Sequence, residues 1–250
     1  MLQIDFYYWS FQCPISNETI ELFKKYRNKA TINLYDISEN PDFAHKYNIF
    51  FPFLTIVNQT TRLFAPITET ILNELLENDG TIEETPHIIE FGTTKFCGEL
   101  VPLTKENISL LSKKCTLTDC INSCKQKGDF LGKKGDSIFG YLNLKDGEVL
   151  GGVEYVPSLL VPYGIPKDEK TAFLTCLYPS SSDYDYKAYP LESLEEKLKQ
   201  DYQRVVAICD KIGTFPNGNL PWFLKQGYID EGIISIEEGY CTLHLVSKML

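Results

Sequence analysis

The sequence has neither the long apolar runs of a membrane protein nor the clustered positive charge of a nucleic-acid binder. Its longest apolar stretches, such as Ile49–Val57, fall far short of the roughly 20 residues that span a bilayer. The N-terminus has no basic leader ahead of an apolar segment, and no stripe of Lys and Arg offsets the formal net charge of -10. We therefore expect a cytoplasmic protein without an export signal, membrane association or nucleic-acid partner.

Internal repeats and low-complexity tracts are also absent, and histidine is rare. The three histidines, His45, His87 and His244, do not have the spacing of metal ligands. The 250 residues are 43% hydrophobic and 13% aromatic, which is enough for one large core or two ordinary ones. The eight cysteines would indicate disulfides in a small secreted protein, but this chain is neither, so we expect reduced thiols.

Hydrophobic periodicity over residues 1–80 predicts seven elements in the order β-α-β-α-β-β-α. The first is a buried strand, Leu2–Trp9, and the last is an amphipathic helix, Thr68–Glu77. Gly80 belongs to a helix stop, and the next residues are polar, acidic and broken by Pro86. The predicted organisation is a first domain over 1–80, a linker over 81–96 and a second domain over 97–250.

The second domain reads as a strand, two helices and then an alternation of strands and helices. The dipeptide Asp146-Gly147 is typical of a two-residue hairpin turn. The other predicted elements are strand Gly98–Leu103, helices ending near Leu111 and covering Asp119–Phe130, strand Ala172–Tyr178, helix Leu191–Tyr202, strand Val205–Cys209, helix Pro221–Gln226 and two closing strands.

Cys13-Pro14-Ile15-Ser16 follows the first strand and opens the first helix, and Pro52 precedes the third strand. With the element order, this resembles the thioredoxin superfamily over residues 1–80, most of all its disulfide-oxidase and glutaredoxin branches. The resemblance implies a cis Pro52 and a reactive Cys13, whose thiolate a helix N-terminus stabilises. Ser16 replaces the second cysteine, so an internal disulfide across this turn is excluded. A mixed disulfide with a thiol partner and a scaffold without thiol chemistry both remain open.

The segment Pro221–Tyr228 contains two adjacent aromatic residues, then a lysine, then Gly227 followed by a third aromatic residue. Earlier in the chain, Gly151-Gly152 begins a strand-like segment that contains Glu154. Residues 97–250 thus resemble the GNAT acetyltransferases, which implies acetyl-CoA and a small-molecule or peptide amine as acceptor. The fold class is α/β, a thioredoxin-like domain followed by a GNAT-like mixed α+β domain. The coenzyme contacts that the resemblance implies are Leu177, Ser182, Lys187, Ala188 and Trp222.

Two positions carry the predicted proton transfers. Phe223 stands where the resemblance implies a proton-donating tyrosine, so Tyr228 is our candidate acid, Tyr189 is a second substitute, and a packing role is the alternative for both tyrosines. Glu154, a carboxylate within an apolar strand, is our candidate base. The alternative for Glu154 is an outward-facing strand residue, because strand side chains alternate between faces.

The segment that should bind the pyrophosphate, Ser180–Pro190, departs from the family pattern. It contains no glycine, and it carries Asp183 and Asp185 where an anion should bind. Glycine lets a backbone approach a phosphate closely, whereas a carboxylate repels it. We therefore expect poor acetyl-CoA binding.

Cys115, Cys120 and Cys124 form a C-x4-C-x3-C run. We predict a soft-metal site there, with a redox-active pair and plain core cysteines as alternatives. Three functions follow for the chain: an acetyltransferase, a non-catalytic protein that binds a thiol-reactive compound or a metal, or a monothiol redox protein that uses Cys13.

Overall fold

The structure is a computed structural model that describes residues 1–86, 88, 90, 92–133, 137–213 and 217–250. The chain forms two compact units. The first comprises Met1–Thr85, Leu111–Phe130 and Pro162–Gly164, and the second comprises Pro86–Leu110, Leu131–Val161 and Ile165–Leu250.

The first unit begins with the predicted order β-α-β-α-β-β-α, which is confirmed. Its elements are β1 (Gln3–Tyr8), α1 (Pro14–Tyr26), β2 (Thr31–Asp36), α2 (Asp42–Lys46), β3 (Phe53–Val57), β4 (Thr61–Leu63) and α3 (Glu69–Glu77), with α4 (Ser112–Cys115) and most of α5 (Ile121–Gly132) joining later in the chain. The sheet order is β2-β1-β3-β4, with β1 and β2 parallel and the other pairs antiparallel.

Alternation along β1 separates the two faces of this sheet. Ile4 and Phe6 point into a core with Phe23 of α1 and with Leu72 and Leu75 of α3. Burial of such large apolar side chains is the main stabilising term of a unit of this size. The two helices therefore cover one face of the sheet.

The bond between Phe51 and Pro52 is trans, so the predicted cis isomer is wrong. The carbonyl of Pro52 accepts a hydrogen bond from the backbone N–H of Trp9 (2.9 Å). A proline ahead of a strand meets its constraint on φ in the trans form, and most such bonds are trans.

The second unit is built on one seven-stranded sheet with the order β10-β11-β9-β8-β7-β6-β5. Its elements are β5 (Glu99–Leu103), β6 (Gly140–Lys145), β7 (Glu148–Pro157), β8 (Thr171–Pro179), α6 (Ala188–Leu198), β9 (Arg204–Asp210), α7 (Leu220–Lys225), β10 (Ile229–Glu237) and β11 (Cys241–Met249). All pairs are antiparallel except β8 and β9.

Local signals predicted the turns well and the helix limits less well. Asp146 (φ 52°) and Gly147 (φ 79°) form the expected hairpin turn, and Gly227 (φ 85°) ends α7. The helix expected to end near Leu111 is instead a 3-10 turn, Ile108–Leu111, and the side chain of Asn107 accepts a hydrogen bond from the N–H of Thr104.

The predicted linker, 81–96, is held at both ends. Glu84 accepts hydrogen bonds from the N–H groups of Phe64 and Ala65 within the first unit. In the second unit, the N–H of Phe96 donates to the carbonyl of Asp185 (3.0 Å). His87, with residues 89 and 91, lies outside the described residues. Within the described ranges, no helix has the length and apolar character needed to cross a membrane.

Candidate functional site

The N-terminus of α6 binds a carboxylate that belongs to the chain itself. Asp185 is buried, and its Oδ1 atom accepts hydrogen bonds from the backbone N–H groups of Lys187 (3.1 Å) and Ala188 (3.0 Å). The first N–H groups of a helix have no partner within the helix, and the helix dipole favours negative charge there. Asp185 therefore occupies the position at which an external anion would bind this helix.

Trp222 and Lys187 complete the surroundings of this carboxylate. The indole Nε1 of Trp222 donates to Asp185 Oδ2 (2.7 Å), and Lys187 Nζ lies 4.0 Å from the centre of the Trp222 ring. Lys187 is 1% exposed, and its Nζ also donates to the carbonyl of Asn217 (2.8 Å). Burial lowers the pKa of Lys187 from its ordinary value of 10.5 to about 7, against the opposing effect of Asp185.

Asn217 fills the opening where β8 and β9 separate. The two strands pair only between Thr171–Phe173 and Arg204–Val206. Further along, the N–H of Leu177 donates to Asn217 Oδ1 (3.1 Å), and Asn217 Nδ2 donates to the carbonyl of Ile208 (3.3 Å). A single side-chain amide thus bridges both strands, and Asn217 is buried.

The loop that carries Asp185 is packed tightly against its neighbours. The N–H of Asp185 donates to the carbonyl of Thr94 (2.8 Å), and the side chain of Asn143 donates to the carbonyl of Tyr186 (3.1 Å). A Cβ atom at Gly92 would overlap the backbone of Tyr184, and one at Gly151 would overlap the carbonyl of Tyr186. The loop is therefore a built part of the core rather than an open phosphate cradle.

The residues at α6 do not fit acetyl-CoA, the cofactor that the resemblance implies. A pyrophosphate needs unoccupied N–H groups at the helix start, and here Asp185 takes those of Lys187 and Ala188. The charge of Asp185 would also repel a phosphate placed beside it.

Four of the five predicted coenzyme residues do come together, but around groups of the chain itself. Ala188 and Trp222 donate to Asp185, Leu177 donates to Asn217, and Lys187 donates to both. The fifth, Ser182, is exposed on the loop before α6.

Glu154 lies on β7 opposite Gly140 and Cys176, and it is 0% exposed. The alternative of an outward-facing side chain is wrong. The ladder shifts register beside Glu154, which leaves Thr175 of β8 as an extra residue, and such bulges redirect side chains. Glu154 has no access to solvent, and its role as a base stays a prediction.

Tyr228 is held within the core of the second unit. Its hydroxyl donates to Glu195 Oε1 (2.9 Å), and Lys248 Nζ donates to Glu195 Oε2 (2.6 Å). Burial, and after it the charge of Glu195, raise the pKa of Tyr228 well above its ordinary value. A phenol with a raised pKa is a weaker proton donor, so this geometry does not favour Tyr228 as the acid.

The predicted metal site is wrong. Cys115 ends α4, Cys120 precedes α5, and only Cys124, which is fully buried, lies within α5, so the three thiols are on different elements. In the part of the chain that the structure describes, which includes every cysteine, no three Cys, His, Asp or Glu side chains are grouped to bind a metal ion. No cysteine forms a disulfide, which leaves the structural and redox alternatives.

Cys13 is the N-cap residue of α1, with Pro14 at the first helical position, as predicted. It is half-buried beside an aromatic group of the same unit, in which Tyr163 and Phe130 both make edge contacts with Trp9 (5.3 and 6.0 Å between ring centres). Burial, and then the charge of Cys13, raise the pKa of Tyr163 well above its ordinary value. The thiol is thus partly covered rather than presented on an open surface.

Asn217, whose side chain bridges β8 and β9, is the residue of this site that the sequence analysis missed. It belongs to the segment Asn217-Gly218-Asn219, just before Pro221, where the sequence predicted only the start of the helix Pro221–Gln226. Asn219 does cap α7, since its side chain accepts from the N–H of Trp222 (2.9 Å). The sequence signal is the dipeptide Asn217-Gly218, which indicates a turn, and Gly218 does adopt a positive φ (145°).

Comparisons with solved structures find acetyltransferases at low sequence identity. A ribosomal-protein-alanine N-acetyltransferase from Brucella melitensis is 16% identical, over 61% of this chain and 99% of that one, with a TM-score of 0.45. An N-acetyltransferase from Staphylococcus aureus Mu50 is 14% identical, over 60% and 97%, with a TM-score of 0.45. An aminoglycoside 6'-N-acetyltransferase complexed with coenzyme A is 14% identical, over 60% and 96%, with a TM-score of 0.43. No protein-family model and no curated protein matches the chain.

Proposed function

We propose that the second unit is a GNAT-like domain and that the first is a thioredoxin-like domain. The GNAT-like assignment of the second unit is supported by its sheet, in which β11 lies between β10 and β9 and α6 connects the parallel pair β8 and β9. The thioredoxin-like assignment of the first unit is supported by the order β-α-β-α-β-β-α on one four-stranded sheet, with Cys13 at the start of α1.

We further propose that the chain is a binding protein rather than an acetyl-CoA-dependent transferase. The observation that carries this proposal is Asp185, whose carboxylate takes the helix N–H groups that a pyrophosphate would need. Asn217 supports it, because its side chain takes the backbone groups of Leu177 and Ile208 between the separating strands. Acetyl transfer to a small-molecule or peptide amine is the activity that this proposal replaces.

Isothermal titration of the full chain with acetyl-CoA tests the proposal. We expect a Kd no tighter than about 1 mM, which corresponds to about 4 kcal/mol of binding free energy. The titration is repeated at about 0.5 M salt, because added salt weakens repulsion from exposed charges such as Asp183 but does not displace buried Asp185. A micromolar Kd at either salt concentration would contradict the proposal.

A second function, monothiol exchange, is favoured by the position of Cys13. Its thiolate would attack a sulfur of a partner disulfide, form a mixed disulfide and release the other sulfur as a thiolate. Ser16 lies fully buried at the position of a second cysteine, so an internal disulfide across this turn cannot release the bound partner. Under this function, Cys13 captures a thiol partner that a second thiol must remove.

Limited alkylation with iodoacetamide near neutral pH distinguishes the thiols. We expect exposed Cys97 and the helix-capping Cys13 to be labelled first, and buried Cys209 and Cys241 last. Burial raises the pKa of Cys209 to about 12, which keeps it protonated. Peptide mass spectrometry gives the order, and Cys97 is the internal reference. If Cys13 reacts no faster than Cys209, it has no thiol chemistry.

A further inference from the structure

The sheet of the first unit has a second face that the helices α1 and α3 do not cover. Asp5 and Tyr7 of β1 lie on this face, because they alternate with Ile4 and Phe6, which belong to the core. Among the described helices, α2, which has five residues, is the one that contributes side chains to the pocket on this face. A pocket of about 490 Å³ remains over the sheet, and every residue that lines it belongs to the first unit.

Four aromatic rings form one side of this pocket. Tyr7 stands 4.9 Å from Tyr35, 5.7 Å from Phe43 and 4.7 Å from Tyr47, measured between ring centres. Phe43 also contacts Tyr35 at 5.0 Å. Tyr35, Phe43 and Tyr47 are each only half-buried, so parts of their rings face the pocket. Ring faces carry partial negative charge and attract cations.

A carboxylate lies at the base of the same pocket. Asp5 is 7% exposed, and it accepts hydrogen bonds from Asn33 Nδ2 (2.7 Å) and Gln3 Nε2 (3.0 Å). Both donors are neutral amides, so they orient the carboxylate without neutralising it. The charge of Asp5 contributes to raising the pKa of Tyr7, for which burial is the main cause.

Lys46 is the one cationic side chain that lines the pocket, and it is exposed. Its Nζ lies 4.8 Å from the centre of the Tyr47 ring. Hydrogen bonds from Tyr7 and then from Lys46 lower the pKa of Tyr47. Lys46 thus shows that a cation can sit on this aromatic surface, and its long side chain can move into solvent.

We propose that this pocket binds a quaternary or fully methylated ammonium group, with Asp5 supplying the opposite charge and the half-buried rings of Tyr35, Phe43 and Tyr47 supplying cation–π contacts, while buried Tyr7 packs behind them. The amides of Asn33 and Gln3 already use part of the accepting capacity of Asp5. A primary ammonium needs three acceptors, whereas a quaternary ammonium needs charge and ring faces without a hydrogen bond. An anion would meet the buried charge of Asp5. This site is independent of Asp185 and Asn217.

Choline and its neutral isostere 3,3-dimethylbutan-1-ol test the site, titrated into the full chain by calorimetry or by ligand-observed NMR. We expect choline to bind at least about tenfold more tightly than the neutral alcohol, because only choline gains the charge and cation–π contributions. No choline binding at about 10 mM would overturn the proposal, as would equal affinity for the two compounds.

Matched variants assign the binding to this pocket. Asp5→Asn keeps the shape and should weaken choline binding at least about tenfold, whereas Asp42→Asn, on exposed α2, should leave it unchanged. Tyr47→Phe keeps the ring and should bind like the wild type, but Tyr47→Leu should lose binding several-fold. Lys46→Met removes the competing cation and should strengthen binding about threefold. If Asp5→Asn does not fold, the Tyr47 and Lys46 variants decide, and unchanged affinity in both Tyr47→Leu and Lys46→Met overturns the proposal.

Discussion

Replacing Asp185 with alanine is expected to lower the free energy of unfolding by about 3 kcal/mol. The substitution removes the acceptor of three hydrogen bonds, from the N–H groups of Lys187 and Ala188 and from the indole of Trp222. It leaves those donors buried without a replacement, and it leaves Lys187 without the nearby negative charge. Such losses belong to the largest class of single-residue effects.

Two other variants distinguish the helix cap from a general effect of charge. Asp183→Ala removes an exposed carboxylate two residues away and should change stability by less than about 0.5 kcal/mol. Asp185→Asn keeps an oxygen for Lys187 and Ala188 but can present an amide N–H to Trp222, so its loss should be intermediate. Urea unfolding of the full chain, followed by far-UV circular dichroism, measures all three. Equal midpoints for Asp185→Ala and Asp183→Ala would show that Asp185 does not hold the loop.

Asp185 also shows which features of this loop the sequence could predict and which it could not. The two aspartates in Ser180–Pro190, with the lack of glycine, led to the prediction of poor phosphate binding, which stays a prediction. Asp185, however, acts as an internal ligand for α6, and Asp183 remains exposed. A sequence indicates where a charge lies along the chain, but only the packed loop determines which of two neighbouring carboxylates turns inward.

Features that depend on a few adjacent residues were predictable. The turn at Asp146-Gly147, the end of α7 at Gly227 and the position of Cys13 at the start of α1 follow from local backbone preferences. The bridge made by Asn217 was not predictable, because it depends on contacts with Leu177 and Ile208, which are distant in sequence. The trans bond at Pro52 is the common isomer, and only the family resemblance favoured the cis form.

The prediction of a metal site at Cys115, Cys120 and Cys124 was wrong for a related reason. Cys120 directly precedes α5, and its carbonyl accepts a hydrogen bond from the N–H of Cys124 (3.4 Å), so the helical spacing of these two residues is present. A metal site, however, needs three or four ligands at bonding distance, and the described residues contain no such group, because spacing along one helix does not determine where further ligands lie. Cys124 instead packs into the core, where a thiol behaves as a small apolar side chain.

Lys187 is expected to make the protein more stable as the pH rises from 7 to about 8.5. Its pKa is about 7 in the folded protein against an ordinary value of 10.5, so between these values the unfolded chain carries a proton that the folded chain lacks. Unfolding free energy increases with pH wherever the unfolded state binds more protons, by about 1.4 kcal/mol per pH unit for one group. The gain over this range is therefore on the order of 2 kcal/mol.

Substitutions at Lys187 separate its contribution from that of other groups. Lys187→Met has no titrating group, so its stability should not show this rise, and at pH 7 it should be less stable than the wild type because buried Asp185 loses its neighbouring cation and the carbonyl of Asn217 loses a donor. Lys187→Arg stays charged at every pH used, so its stability should not show this rise either. Above about pH 8.5, Cys209 acts in the opposite direction, since burial raises the pKa of its thiol to about 12 and the unfolded chain loses that proton first.

Urea midpoints of the wild type and of both Lys187 variants, measured in half-unit steps of pH, provide the comparison. Parallel pH profiles for the wild type and Lys187→Met would mean that Lys187 keeps its proton in the folded core, paired with Asp185 and the Trp222 ring.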